Sequence, residues 1–496
     1  MSVSPTSRPR WLHPNWWLVL TLAAYAVFLW PRAYVAPGGS DSSGYFNAAK
    51  VLSHGAVSAP LRAIEGLPAT DLPLMTYLPL GFMRDAAGTK IIPTYPIGLP
   101  LLFVGFFAVF GIGVGAKLTL IAHSVLGLLM TCLLARRLGA GWPAAALGAA
   151  ALAFSPLYLL YSTQAMSDVP ALAWVALAVW LTLVSRDRPR WALAAGFAFG
   201  FSVLIRPTNA LALAPLLLAL GRPGWSWIWF GLGGLPCAIG LAAFNHAAYG
   251  SIAASGYAQL PELLGTEWCG VTLREYVRWM PVVGTPLVAL ALGFPWLWRA
   301  ALGKIILLLV WAAVFFGFYA FYYCTHETWW YMRFILPGLP AVILLAVLVL
   351  DRFLGALRMR WTQFAAAAAV LTAMLGSDTH WNRQWAVLAG SAEGELIYAE
   401  TAQWAGAHLP PDAVIFSFQL SGAHRFHGDF VVVRWDVIEA NWPKIQAALR
   451  AAHRPAYATL FNFEEEPALK QAVPGDWEKV AQIRQGSVWR LRTPAP

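Results

Sequence analysis

Two carboxylates set in apolar surroundings carry the clearest chemical signal in this sequence. Asp41 follows Gly38-Gly39-Ser40 and opens a stretch running to Lys50, in which Tyr45, Ala48, Ala49 and Leu52 fall on one helical face. It can cap that short amphipathic helix, which suits the surface of a bilayer. It can also act as a general base, its pKa raised above ~3.9 by partial desolvation at the membrane surface. The spacing leaves both readings open. Asp168 lies in Thr163-Gln164-Ala165-Met166-Ser167-Asp168-Val169-Pro170, at the end of an apolar run. An acid there is costly near lipid and marks a functional position by default. Ser167-Asp168 ahead of Pro170 is equally a good helix start, so capping is the competing reading.

Cations and an imidazole complete the set. Arg206, in Leu204-Ile205-Arg206-Pro207-Thr208-Asn209, falls at the tip of a tight hairpin, where an arginine can simply snorkel to the interface. The run His326-Glu327-Thr328-Trp329-Trp330-Tyr331-Met332-Arg333 combines aromatics with an imidazole, an acid and a cation. It suits a lipid-linked phosphate at headgroup depth, with Arg333 pairing the phosphate oxygens. An aromatic belt holding one charge-balanced Arg–Glu pair explains the same residues.

The elements that must position these groups follow from composition. Of 496 residues, 59% are apolar and 12% charged, with a mean hydropathy of +0.58. A soluble chain carries about 25% charged residues, so most of this surface must face lipid. The 26 Trp agree, because indole rings favour the membrane–water interface. The net charge of +10 sits at the ends of apolar segments instead of in one patch, which argues against nucleic acid as a partner. Cys132, Cys237, Cys269 and Cys324 show no C-x-x-C spacing and so no zinc or redox motif. Trp16 to Trp30 lacks a small-residue cleavage site, so a cleaved signal peptide is not expected.

Apolar runs near spanning length occur at about 16–35, 117–135, 144–161, 169–184, 191–205, 208–220, 225–245, 281–298, 302–323, 334–350 and 361–376. The expected fold is therefore an α-helical polytopic membrane protein with about eleven transmembrane helices. Ile97 to Phe110 reads as a helix lying on or dipping into the membrane. With the N-terminus inside, Arg8, Arg10, Arg136, Arg137, Arg186, Arg188, Arg190, Arg222, Arg299, Lys304, Arg352, Arg358 and Arg360 are cytoplasmic. Asp41, Glu65, Asp71, Asp85, Asp168, Glu262, Glu267, Glu275 and Glu327 then all fall outside. A membrane domain of residues 1–376 holds a first outer loop with juxtamembrane helices at 36–116 and a second at 246–280. Residues 377–496, of ordinary composition, read as a small soluble α/β domain on the outer side. Its expected helices are Ile397–His408 and Val437–Ala451, and its expected strands Ala413–Phe418, Phe430–Arg434, Ala456–Leu460 and Val488–Leu491. Cys269 and Cys324 lie in adjacent outer loops, where an oxidising compartment would allow a disulfide.

Several ordered features resemble the GT-C superfamily of polytopic glycosyltransferases, in particular the family of protein O-mannosyltransferases and lipid A aminoarabinose transferases (glycosyltransferase family 39). They are Asp41-x-x-x-Tyr45, Tyr95-Pro96-Ile97-Gly98-Leu99-Pro100, Leu134-Ala135-Arg136-Arg137-Leu138-Gly139, Met166-Ser167-Asp168-Val169-Pro170, Arg206-Pro207-Thr208-Asn209, Asn245 with Tyr249-Gly250-Ser251, and Trp330-Tyr331-x-Arg333-Phe334. Together they span roughly residues 15–350. No single piece is specific, whereas their order and topology are.

The resemblance implies a GT-C-like fold in a bacterial inner (plasma) membrane, with the C-terminal domain periplasmic or extracellular. It implies a polyprenyl-phosphate sugar donor and a lipid, glycan or protein acceptor on the outer side, with membrane lipids as surroundings. By analogy Asp41 is the catalytic base and Asp168 a second acid beside the site. Tyr45, Lys90, Arg206, His326, Glu327 and Arg333 are the substrate-binding candidates. Family members often carry Lys-Pro-Pro or His-Pro-Pro where this chain has Thr94-Tyr95-Pro96, and Lys90 is the nearby substitute for that phosphate contact. The acids leave room for a divalent metal without fixing one. A lipid phosphate is a good leaving group, so the resemblance implies direct displacement with inversion, aided by Arg333 with Arg206 or His326. The alternatives are a transporter or flippase for lipid-linked sugars, and a non-catalytic binder of them. No repeat of one membrane half in the other is visible, which weakens the transporter reading.

Overall fold

A computed structural model describes residues 16–256, 260–357, 359–385, 387 and 390–492, and it is mostly helical. α1 (Trp16–Leu29) and the amphipathic α2 (Asp41–Ser53) open the chain. α3 (Gly98–Phe110) turns at Gly111 into α4 (Ile112–Arg137), followed by α5 (Trp142–Phe154), α6 (Pro156–Ser162), α7 (Asp168–Ser185) and α8 (Trp191–Ile205). A 3-10 turn, Pro207–Ala212, leads into α9 (Leu213–Leu220), then come α10 (Trp225–Tyr249) and α11 (Glu267–Trp279). A further apolar run, Pro286–Ala320, ends in α12 (Trp298–Ala320). The segment Trp329–Gly338 continues into α13 (Leu339–Ala356), and α14 (Arg360–Gln384) follows.

Among the described residues, five helices are long and apolar enough to cross a membrane: α4, α7, α10, Pro286–Ala320 and Trp329–Ala356. Counting α5 and α6, bent by 64° at Ser155, as one span gives six. The expected eleven is thus not reached by length and apolarity. The sequence runs at 191–205 and 208–220 are separate short helices because Pro207 interrupts them, and α1 is short as well. The expected pair 281–298 and 302–323 forms one helical run broken at Ala301, whose φ of −146° is not helical. α14 covers 361–376 but is not among the apolar spans. α3 is a short apolar helix packed on α2 and α4.

Side-chain contacts sort the helix ends into two groups. At one end Arg137 pairs with Asp187 at 2.6 Å, Lys304 donates to the Leu138 carbonyl at 2.6 Å, and Asp351 accepts from the Gly141 amide at 2.6 Å. α7 runs from Asp168 to Ser185, so Asp168 stands at the opposite end from Asp187. There Arg206 meets Asp168 and Arg333 meets Asp41. Asp41, Asp168, Arg206 and Arg333 thus meet at the end of α7 opposite Asp187.

Two small sheets lie beyond the helices. In the first loop β1 (Ala59–Pro60), β2 (Phe82–Arg84) and β3 (Lys90–Pro93) form an antiparallel sheet in the order β1-β3-β2. The C-terminal region comprises α15 (Gly390–His408), β4 (Val414–Phe416), α16 (Ser421–His427), β5 (Val431–Val433), α17 (Trp442–Ala451), β6 (Ala456–Phe461), β7 (Trp477–Ile483) and β8 (Gly486–Leu491). Its sheet runs β5-β4-β6-β8-β7, parallel among β5, β4 and β6 and antiparallel from there on. The expected α/β pattern is present, with one strand more than the sequence indicated. β7 is an edge strand whose Glu478, Lys479 and Val480 are exposed, so it shows no apolar alternation.

The first loop and the C-terminal sheet share a core. Ile64, Leu67, Leu72 and Tyr77 pack with Val414, Phe416, Trp435 and Trp442. α16 lies on α2, where Asn47 donates to the Gly422 carbonyl at 2.9 Å and Lys50 to the Phe426 carbonyl at 2.7 Å. This packing fixes α2, and with it Asp41. Cys269 and Cys324, expected to be able to pair, are free thiols, as are Cys132 and Cys237.

Candidate functional site

Asp41 is the first residue of α2. The Arg333 Nη2 donates to its Oδ2 at 2.7 Å, and the Tyr95 hydroxyl donates to its Oδ1 at 2.6 Å. Tyr95 reaches that position because its ring lies on Gly44, where any Cβ would collide with it. The Tyr95 oxygen also lies 2.7 Å from the Ser40 hydroxyl. Burial raises the Asp41 carboxyl, as desolvation requires, but the Arg333 charge and the hydrogen bonds from Tyr95 and Arg333 outweigh it. The result is a carboxyl held below the usual range, opposite to the rise expected from desolvation alone. Burial and the Asp41 charge push the Tyr95 phenol well above its ordinary value, so it stays a donor.

A second pair stands behind the first. Arg206, at the end of α8, donates to Asp168 Oδ1 at 2.6 Å and lies 3.4 Å from the Ser167 hydroxyl. Ser167 in turn accepts from the Tyr45 hydroxyl at 2.9 Å. Asp168 is only 1% exposed, and Arg206 is its ion-pair partner among the described residues. Phe334 sits under both cations, 5.1 Å from the Arg333 guanidinium and 5.8 Å from that of Arg206. Each arginine keeps one buried donor without a hydrogen-bond partner among the described residues, Nε of Arg333 and Nη1 of Arg206. Buried orphan donors on two adjacent guanidinium groups are what an oxyanion or phosphate would satisfy.

A cavity of about 530 Å³ opens on the first pair. It is lined by Gly38–Ser42, Tyr161, Gln164 and Met166 on one side and by Trp329–Tyr331, Arg333, Trp385, Glu395 and Tyr398 on the other. Its volume is that of a small-molecule site. Among the described residues no three His, Cys, Asp or Glu side chains cluster as metal ligands do.

The sequence-derived residues separate into three groups. Asp41 and Arg333 line the cavity, while Tyr45, Asp168 and Arg206 form the buried layer beside it. Lys90 lies exposed on β3, with its amide donating to Asp85 at 2.9 Å, and does not line the cavity. His326 stacks on Trp268 at 5.3 Å and its Nδ1 is buried without a hydrogen-bond partner among the described residues, and neither it nor Glu327 lines the cavity. Arg333 takes Asp41 as its partner, not the Glu327 of the belt reading. The residues not singled out from sequence are Tyr95, Glu395 and Tyr398. Tyr95 was visible as the start of the Tyr95–Pro100 feature and as a departure from Lys-Pro-Pro, with no role attached. Glu395 and Tyr398 belong to a helix whose packing on Gly38 and Gly39 no local pattern announces.

Residues 95–245 match the family model for dolichyl-phosphate-mannose-protein mannosyltransferases. No curated protein matches the chain by sequence. Among solved structures, ArnT from Cupriavidus metallidurans bound to undecaprenyl phosphate superposes with a TM-score of 0.56 at 14% identity, covering 96% of this chain and 98% of its own. The archaeal oligosaccharyltransferase AglB from Archaeoglobus fulgidus, in complex with an inhibitory peptide and a dolichol-phosphate, gives 0.54 at 12% identity over 97% of this chain and 74% of its own. The arabinofuranosyltransferase AftD from Mycobacteria gives 0.55 at 15% identity over 97% of this chain, which spans 40% of that protein. The chain is thus a multi-pass membrane protein with the fold of the GT-C glycosyltransferases, and over residues 95–245 it resembles the dolichyl-phosphate-mannose-protein mannosyltransferase family.

Proposed function

We propose that this protein is an inverting glycosyltransferase that moves a sugar from a polyprenyl-phosphate donor to an acceptor hydroxyl on the non-cytoplasmic face of a bacterial inner membrane. The observation that carries the reading is the Asp41–Arg333 pair at the mouth of the cavity, with Arg206 and its orphan donor behind it. Two of the structural neighbours hold undecaprenyl phosphate and dolichol-phosphate, which supports a lipid-linked donor here. The site lies at the end of α7 opposite the Arg137–Asp187 pair, which supports a position away from the Lys/Arg-rich loops.

The donor phosphate binds Arg333, with Arg206 beside it, and the sugar projects into the cavity. The acceptor oxygen attacks the anomeric carbon from the face opposite the phosphate. The new C–O bond forms as the bond to the phosphate oxygen breaks, and polyprenyl phosphate leaves with the electron pair. Charge on the leaving oxygen is met by the guanidinium groups, so protonation is not needed. Asp41 takes the acceptor proton. Its pairing with Arg333 makes it a poor base. A phosphate that draws Arg333 toward itself loosens that pair and restores basicity to Asp41. The base is thereby switched on by donor binding.

The test is purified protein in lipid nanodiscs with radiolabelled polyprenyl-phosphate sugars, reading release of lipid phosphate and transfer of label to membrane extracts. Wild type should turn over at least one donor, and an Asp41→Asn variant of unchanged melting temperature should not. An Asp41→Asn variant as fast as wild type would remove this carboxylate from the chemistry. Wild type that releases no lipid phosphate from any donor, yet moves the intact donor across the bilayer, would make the protein a transporter.

A further inference from the structure

The cavity has a second acidic wall that the pair chemistry does not use. Glu395 and Tyr398 lie one turn apart on α15, the helix that leads from α14 into the C-terminal sheet, and both line the cavity with Asp41. The contact is close: a Cβ at Gly38 would collide with Glu395 Oε2 and lie 2.9 Å from the Tyr398 ring. The Glu395 and Tyr398 side chains thus pack directly on the chain three residues before Asp41. Glu395 Oε2 is buried and has no hydrogen-bond partner among the described residues. Among those residues it also has no cation within ion-pair distance, in contrast to Asp41. A buried carboxyl oxygen left in this state is costly unless a proton or a ligand satisfies it.

Resting on the transfer reading, we propose that Glu395 is a substrate-binding residue that presents its carboxyl to a hydroxyl of the acceptor, so that α15 forms the acceptor-side wall of the site. The donor side is already assigned by charge, since a phosphate belongs with Arg333 and Arg206. A neutral hydroxyl belongs with a group that can both give and accept a hydrogen bond, and a protonated carboxyl does both. Burial pushes the Glu395 carboxyl up to about 7, which supports that state at neutral pH. Tyr398, Asp41, Tyr161 and Arg333 are ionisable groups that share the cavity with it, and α16, packed on α15, carries His424, Arg425 and His427. Trp329 and Trp385, stacked at 4.3 Å on the same wall, add an apolar aromatic surface against which the C–H face of a sugar can pack.

Dicyclohexylcarbodiimide, which modifies protonated carboxyls in apolar surroundings, tests the assignment without any turnover. On the full-length protein in nanodiscs, Glu395 should be labelled at pH 6 and about tenfold less at pH 8, as a group titrating near 7 requires. Octyl glucoside, as a hydroxyl-bearing probe, should protect it, and farnesyl phosphate should not. Labelling that is absent, independent of pH or unprotected by the glucoside would overturn the proposal. In the transfer assay with membrane extract as acceptor source, Glu395→Gln, whose amide still donates and accepts, should raise the apparent KM for the extract less than Glu395→Ala does. Glu395→Ala should raise the apparent KM for the extract about tenfold, the loss of one hydrogen bond to a buried group. A fall in kcat for Glu395→Gln at unchanged KM would overturn the binding role in favour of proton transfer. If Glu395 labels and is protected while wild type releases no lipid phosphate, the binding site stands and the transferase reading falls.

Discussion

Asp41 and Arg333 meet at 2.7 Å although 292 positions separate them in the chain. The contact joins the first long loop to the start of the Trp329–Ala356 span, so segments far apart in the chain line one cavity. The partner of Arg333 is thus a carboxylate, and under the proposed reaction a donor phosphate competes with it for the same guanidinium.

Substitutions at this pair should separate charge from geometry. Asp41→Asn is expected to lower kcat by about 10²–10⁴, the usual contribution of a general base, with little change in melting temperature. Arg333→Lys keeps the charge but loses the planar fork that can serve a carboxylate and a phosphate together. It should raise the donor KM and lower kcat, and Arg333→Ala should lower kcat by a further order of magnitude. Steady-state kinetics against lipid-phosphate release check all three.

Tyr95→Phe removes one hydrogen bond to the ionised form of Asp41. The folded-state pKa of Asp41 is depressed, so losing a stabilising donor must raise it. The acid limb of the kcat/KM profile should therefore move to higher pH, with the neutral-pH rate reduced by about tenfold at most, as one hydrogen bond to a charged group allows. A limb that stays in place while the rate falls would show that Tyr95 contacts substrate instead of tuning Asp41.

Asp41, Asp168, Arg206 and Arg333 were legible in the sequence because an ionisable residue inside or beside an apolar run stands out against its surroundings. Their pairing was not, since a charge pattern along the sequence carries no information on which charges meet in space. Lys90 was attractive only by proximity to Tyr95 in sequence. It lies on β3 just before Tyr95, yet its exposed side chain does not reach the cavity. Helix count was the least legible feature, because Pro207 and the break at Ala301 change where apolar runs become helices. The C-terminal strands could be read from Val and Ile runs, whereas β7, charged and exposed at the sheet edge, could not.

The buried pair behind the cavity should behave as structure first. Asp168→Ala leaves the Arg206 guanidinium without its counter-charge in a site where the acid is 1% exposed. Removing one partner of such a pair costs about 3–5 kcal/mol. A thermal-shift measurement in detergent should find a large drop for Asp168→Ala and a smaller one for Asp168→Asn, which keeps an acceptor for Arg206. A stable, inactive Asp168→Ala would instead place this acid in the reaction.

The pH dependence of stability offers an independent reading of Glu395. Its folded-state carboxyl titrates near 7, above the unfolded value of about 4.3. Between those two values the folded protein holds a proton that the unfolded chain has released, so stability falls as pH rises through the window. Below about pH 4 the residue is neutral in both states and contributes no such slope, and above about 7 the full cost of a buried charge is present. Glu395→Gln keeps the shape of the neutral acid and cannot ionise. It should match wild type in melting temperature near pH 4.5 and exceed it at pH 8, the gap opening across pH 5 to 7. Asp41→Asn should show no gap opening over that range, because the Asp41 carboxyl is held below the usual carboxylate values and is already ionised there. Parallel thermal unfolding of wild type and both variants from pH 4.5 to 8 distinguishes the two carboxyls, and a Glu395→Gln curve parallel to wild type throughout would mean that Glu395 is charged in the folded protein.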